Sequence, residues 1–187
     1  MTTEPKRKSV CVIHTGRDEV FTFRRLVHYN EGAGLRFHFH EVVDDRDGLG
    51  RDELEQERAA LVERVAHDEY VLLLVGNHTS RMAGRALLGL CTGLLLRRPI
   101  IAVNLDGSRS WDATRAPEDL EGHLVLSISS ELPVLEYALD SWRDEYFRLR
   151  SMDRRGAVVY PNDLYETLLA NTGPDDDSEL TTHRIAL

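Results

Sequence analysis

YVLLLV, residues 70–75, is apolar at all six positions. The run is far short of the roughly 20 residues that span a bilayer. It reads as a strand covered on both faces, the kind found at the centre of a parallel sheet. Upstream, Asp52 and Glu55 are spaced as a capping box, and Leu54, Leu61, Val62 and Val65 mark a helix ending near His67. Residues 35–43 (LRFHFHEVV) alternate, with Leu35, Phe37 and Phe39 opposed to Arg36, His38 and His40. A period of two predicts a half-exposed strand at a sheet edge. Before it, Val20, Phe23, Val27 and Asn30 share one face of a helix over residues 18–30, with Leu26 beside them and Gly16, Arg17 and Asp18 as turn and cap. Residues 9–14 (SVCVIH) read as another buried strand.

Downstream, residues 76–80 (GNHTS) form a loop, and the helix predicted over residues 81–96 is apolar nearly all round. Residues 99–105 (PIIAVNL) and 124–129 (LVLSIS) read as a fourth and a fifth strand, separated by a polar loop that contains Trp111 and Pro117. From Ser130 a long helix carries Leu135, Ala138, Leu139, Trp142, Tyr146 and Leu149 on one stripe. A short strand-like piece at residues 157–160 and a short helix at 162–170 follow. The organisation expected is an arm (1–8), an α/β domain (9–150), an extension packed on it (151–172) and a mobile acidic tail (173–187). Strands alternating with helices imply right-handed crossovers and a doubly wound sheet. Five strands with an exposed second one predict the flavodoxin-like order 2-1-3-4-5, with helices on both faces.

Composition narrows the function. A net charge of −9 in 187 residues disfavours wrapping nucleic acid or sitting on anionic lipid. A polar N-terminus without an apolar signal core predicts a cytoplasmic chain. Of 23 basic residues only Lys6 and Lys8 are lysines, so the core offers none for a Walker loop, a Schiff base or a phosphorelay receiver. Cys11 and Cys91 lie in apolar segments and read as inert core thiols. His38 and His40 are strand neighbours without a third ligand, so no metal is expected.

In doubly wound sheets the loops at the carboxyl ends of the strands carry the site. Here they bring His14, Arg17, Asn77, His78, Asn104 and Trp111 to one rim. These residues read either as a pocket for a nucleotide-like ligand, with Arg17 on phosphate and Trp111 stacked on a base, or as an ordinary polar rim. Flavin binding would need a hydroxyl-rich phosphate loop after the first strand, where the chain has only His14, Thr15, Gly16 and Arg17.

VLLLVGNHTS (residues 71–80), a helix, and RRPIIAVNL (97–105), with the opening KRKSVCVIHTGRDEVFTFRRLV, resemble the TIR-like proteins of bacteria and archaea, including sensor subunits of the Thoeris antiphage system. The resemblance covers about residues 6–130. It implies a flavodoxin-like TIR fold and a role in prokaryotic immune signalling. Enzymatic members carry a glutamate, four residues after a tryptophan, in the helix after the third strand, and it supports cleavage of the nicotinamide–ribose bond of NAD. The matching positions here are Gly89 and Arg85, and residues 71–105 contain no Asp or Glu. An oxocarbenium-like transition state needs a nearby negative charge. The resemblance therefore predicts a non-catalytic member with no bound cofactor, for which NAD or an NAD-derived nucleotide is the ligand to consider.

In place of the acid, the helix offers Gly84, Arg85, Leu88, Gly89 and Gly93. Interior glycines cost about 1 kcal/mol each in helix propensity, which close backbone packing can offset. Two expectations stand side by side: an assembly surface for a second copy or a larger effector, or a helix held between the sheet and the long C-terminal helix. Two alternatives to the signalling reading are an NAD-cleaving or NAD-cyclising enzyme that draws its acid from Asp44, Asp45 or Asp47, and a structural subunit of a larger complex.

Overall fold

The computed structural model describes residues 8–16, 19–32, 37–43 and 51–170, with the side chains of 51–54 excepted. Arg17, Leu35, Arg36, Asp44, Asp45 and Asp47, most of the arm and the acidic tail lie outside the described residues. The strands are β1 (Lys8–His14), β2 (Phe37–Val43), β3 (Tyr70–Val75), β4 (Ile100–Asn104), β5 (Val125–Ser129) and β6 (Ala157–Val159). The helices are α1 (Glu19–Gly32), α2 (Arg51–His67), α3 (Gly84–Leu95), α4 (Leu132–Ser151) and α5 (Asn162–Ala170).

All pairings are parallel and the order is β2-β1-β3-β4-β5-β6, the doubly wound order with one strand added. The added strand is the strand-like piece of the extension. Ala157, Val158 and Val159 pair with Val125, Leu126 and Ser127, so the extension continues the sheet. Every residue of β3, β4 and β5 is buried, as continuous apolar runs require. β2 lies at the edge, with His38 and Glu41 exposed.

Side chains alternate between two apolar layers. Val10, Val12, Leu72, Leu74, Ile101, Val103 and Leu126 face α1, α4 and α5, where Leu26, Leu135, Leu139, Trp142, Tyr146 and Tyr165 meet them. Cys11, Ile13, Val42, Val71, Leu73 and Ala102 face α2 and α3, against Leu61, Val65, Met82, Ala86 and Leu90. Thus α3 and α4 lie on opposite faces, and the long helix does not cover α3 as one of the two expectations had it. α2 is its neighbour. The segment read as one helix over 81–96 is divided into a 3₁₀ turn (Thr79–Arg81) and α3, and Gly84 takes φ +52° at the junction. No helix among the described residues is long and apolar enough to cross a membrane.

Candidate functional site

The rim is built from the ends of β1, β2 and β3. His14 ends β1 and is wholly buried. The amide of Gly16, which turns the chain at φ +82°, donates to His14 Nδ1 at 3.0 Å. The ring proton therefore sits on Nε2, which donates to Glu41 Oε1 at 2.8 Å, and Phe23 packs beside the imidazole with ring centroids 5.7 Å apart. Glu41 reaches this bond from the edge strand with about a third of its side chain in solvent (35%).

Glu41 also lines a cleft of about 290 Å³ between β2, α2 and α3, together with Glu57, Arg64, Arg85 and Leu88. Arg85 grips both carboxylate oxygens of Glu57, a bidentate pair that ties α3 to α2. Arg64 is exposed at the mouth. The cleft thus joins two carboxylates, two guanidiniums and an apolar wall, near the lower end of the size range of small-ligand sites.

At the β1/β3 switch point, between the loops that follow those strands, Glu19 is only 1% exposed. Its Oε2 accepts from Thr15 Oγ1 at 2.8 Å, while Oε1 has no partner among the described residues. Gly76 makes room for that carboxylate, since a Cβ there would overlap Glu19 Oε1. Thr79 Oγ1 accepts from the Gly76 amide at 2.8 Å and donates to Leu74 O at 3.2 Å, which fixes the loop after β3.

The structure distributes the residues expected at the rim unevenly. Asn77 is exposed and His78 half-buried at the mouth of the loop after β3. Asn104 is buried. Its Nδ2 reaches Ser108 O, Ser110 O and Ser127 Oγ at 2.9 to 3.1 Å, so it organises the loop after β4 from inside. Trp111 is half-buried against the α2/α3 layer, where its ring serves packing. His14 acts one step removed, holding Glu41.

The residues assigned to an assembly helix are also redistributed. Gly89 and Gly93 face the sheet: a Cβ on Gly89 would stand 3.3 Å from both Ile13 Cδ1 and Val42 Cγ1, and one on Gly93 would stand 2.7 Å from Val71 Cγ2. The close approach read from these glycines is taken by the chain's own strands. Arg85 and Leu88 line the cleft.

Sequence reading passed over Glu19, Glu41, Glu57 and Arg64. Glu19 was detectable, because it falls four residues before Phe23 and seven before Leu26, a carboxylate on the apolar face of α1. Glu41 lies in register with Val12, two residues short of the strand end, and only pairing reveals its partner. Near the opposite end of β1, His40 Nε2 meets the buried Asp68 carboxylate at 2.7 Å. Burial raises the pKa of Asp68 and lowers that of His40.

The fold and rim define the class: a doubly wound, flavodoxin-like α/β domain extended by a sixth strand, with its polar cleft at the strand ends. No model of a known protein family matches the chain, and no curated protein matches it.

Proposed function

We propose that the chain is a TIR-like signalling or assembly subunit of a prokaryotic antiphage defence system, taking a nucleotide-like ligand in the cleft beside Glu41 and leaving NAD intact. One observation carries the non-catalytic half. By the resemblance, Gly89 falls where enzymatic TIR-like proteins carry their glutamate, and in this fold it faces the strands, with Ile13 Cδ1 and Val42 Cγ1 3.3 Å from where its Cβ would stand. Arg64 and Arg85 supply cationic groups suited to phosphate, and Leu88 and Leu61 an apolar wall. For assembly with a second copy or a larger effector, α3 offers Leu95, 81% exposed at its end.

A second reading has its own observation. Glu41 is a half-exposed carboxylate, oriented by a buried histidine, in a cleft that also holds Glu57. That arrangement could stabilise an oxocarbenium ion in an NAD-cleaving or NAD-cyclising enzyme with a rearranged site.

Purified protein incubated with NAD, with nicotinamide followed by chromatography and mass followed by light scattering, separates the two. The expected result is no release above the buffer control, and oligomers that Leu95→Glu disperses while the fold is retained. Nicotinamide release that disappears in Glu41→Gln overturns the proposal in favour of the enzyme.

A further inference from the structure

Four arginines converge at the amino-terminal edge of the sheet, the end opposite the rim. Arg97 follows α3, Arg150 lies in the last turn of α4, and Arg154 and Arg155 lie in the turn that leads to β6. With His123 they surround a cleft of about 470 Å³ floored by Leu94, Leu124 and Tyr146. Two carboxylates, Glu121 and Asp153, share the lining. The local balance is positive on a protein whose net charge is −9.

These arginines are poorly accounted for by the protein itself. Arg155 pairs with Asp153 at 3.3 Å, but both are strongly exposed and such pairs are weak. Arg150 Nη1 donates to the Tyr146 hydroxyl at 2.9 Å. Among the described residues Arg97, Arg150 and Arg154 have no carboxylate partner. The helix dipole explains a cation in the last turn of α4. It does not explain Arg154 and Arg155, which stand beyond the helix end.

The backbone supplies an independent observation. Among the described residues only two non-glycine residues have positive φ, Arg97 at 58° and Asp153 at 53°, and both line this cleft. Each closes a helix with the same left-handed turn. The amide of Arg97 donates to Leu94 O and that of Arg98 to Gly93 O, while the amides of Asp153 and Arg154 donate to Arg150 O and Leu149 O. Glycine is the usual occupant of that position; here Arg97 sets a guanidinium and Asp153 a carboxylate on the cleft, each at a cost in backbone strain, and Asp153 holds Arg155 at 3.3 Å.

We propose that this cleft is a second ligand site, specific for a phosphate-bearing anion of nucleotide size. Guanidiniums grip phosphate oxygens in bidentate fashion, and the volume and apolar floor suit a small organic body attached to them. The site lies at the other end of the sheet from the rim, so neither reading depends on the other.

The test is calorimetric titration of the full chain at low salt with inorganic pyrophosphate, ATP and adenosine. Pyrophosphate should bind saturably with one-to-one stoichiometry and ATP should displace it, adenosine should not, and affinity should fall as salt rises. Arg97→Gly is the informative variant, because glycine fits φ +58° and the fold keeps or gains thermal stability. It should nonetheless weaken pyrophosphate binding by about tenfold, as should Arg154→Gln, each removing one charge-assisted contact. Arg58→Ala, on an exposed part of α2, should leave binding unchanged. Wild-type affinity in Arg97→Gly and Arg154→Gln, an equal loss in Arg58→Ala, or non-saturable binding overturns the proposal.

Discussion

The two faces of the sheet are covered by opposite means. On one, α4 and α5 fill the space with aromatic volume. Trp142 is fully buried and donates to Ile100 O at 3.1 Å, and the hydroxyl of buried Tyr165 accepts the Ser129 amide at 3.1 Å. On the other, α3 presses its backbone onto the strands through Gly89 and Gly93, so that Ile13, Val42 and Val71 supply the volume. One face should be sensitive to loss of atoms and the other to their addition. A glycine pair on an apolar helix is therefore ambiguous in sequence, since it marks close approach without naming the partner.

Three measurements bear on this contrast. The largest effect is expected at Trp142→Ala, which deletes a buried indole and its hydrogen bond to the Ile100 carbonyl. Urea denaturation should show a loss of about 4 kcal/mol. A loss below about 1 kcal/mol would mean that the aromatic face is not packed as described.

Next come the two glycines, changed separately to alanine. At Gly93 the new methyl lies 2.7 Å from a rigid valine branch. Overpacking of about 1–3 kcal/mol should exceed the roughly 1 kcal/mol gained in helix propensity, leaving a net loss. At Gly89 the nearest atoms stand at 3.3 Å, and the two effects should nearly cancel. The same denaturation assay reads both, and equal losses at the two positions would remove the distinction drawn between them.

The gentlest probe is alkali, because each face buries an acid of high pKa. Burial pushes the Tyr70 phenol, on the aromatic face, from 10.0 up to about 12. The folded state thus holds this proton more tightly than the unfolded chain. The corresponding stability is complete below pH 10 and is lost as pH rises from 10 through about 12. Burial also raises the Cys11 thiol, on the α3 face, above its ordinary 9.0, so its contribution declines from about pH 9 upward. Stability followed against pH should therefore decline progressively from about pH 9, and Cys11→Ala and Tyr70→Phe should each make that decline shallower, the first from about pH 9 and the second from about pH 10.

The strands and the doubly wound order were legible because YVLLLV, PIIAVNL and LVLSIS leave no other reading, and LRFHFHEVV alternates as an edge strand must. β6 was legible as strand-like but not as part of the sheet. Three residues carry too little pattern to name a partner, and pairing with β5 supplies it. The cleft was less legible still. Arg85 and Leu88 read as a surface for another molecule, and only the placement of α2 turns them toward Glu57 and Glu41. His14 and Asn104 read as polar rim residues, yet both spend their hydrogen bonds inside, a fact that depends on burial rather than on residue type. Glu19 carries two signals: an acid at a helix start is ordinary, but one in line with Phe23 and Leu26 on the apolar face is not, and only the second marks it as buried.

Among the described residues, the sixth strand is also the last in the chain. Until residues 157–159 pair with it, β5 is an open edge of the sheet. Its backbone groups stay unpaired on that side while nearly all of the hydrophobic core is already present. A chain that lacks β6 therefore offers β5 as a flank able to accept an extended segment, including β6 of a neighbouring chain.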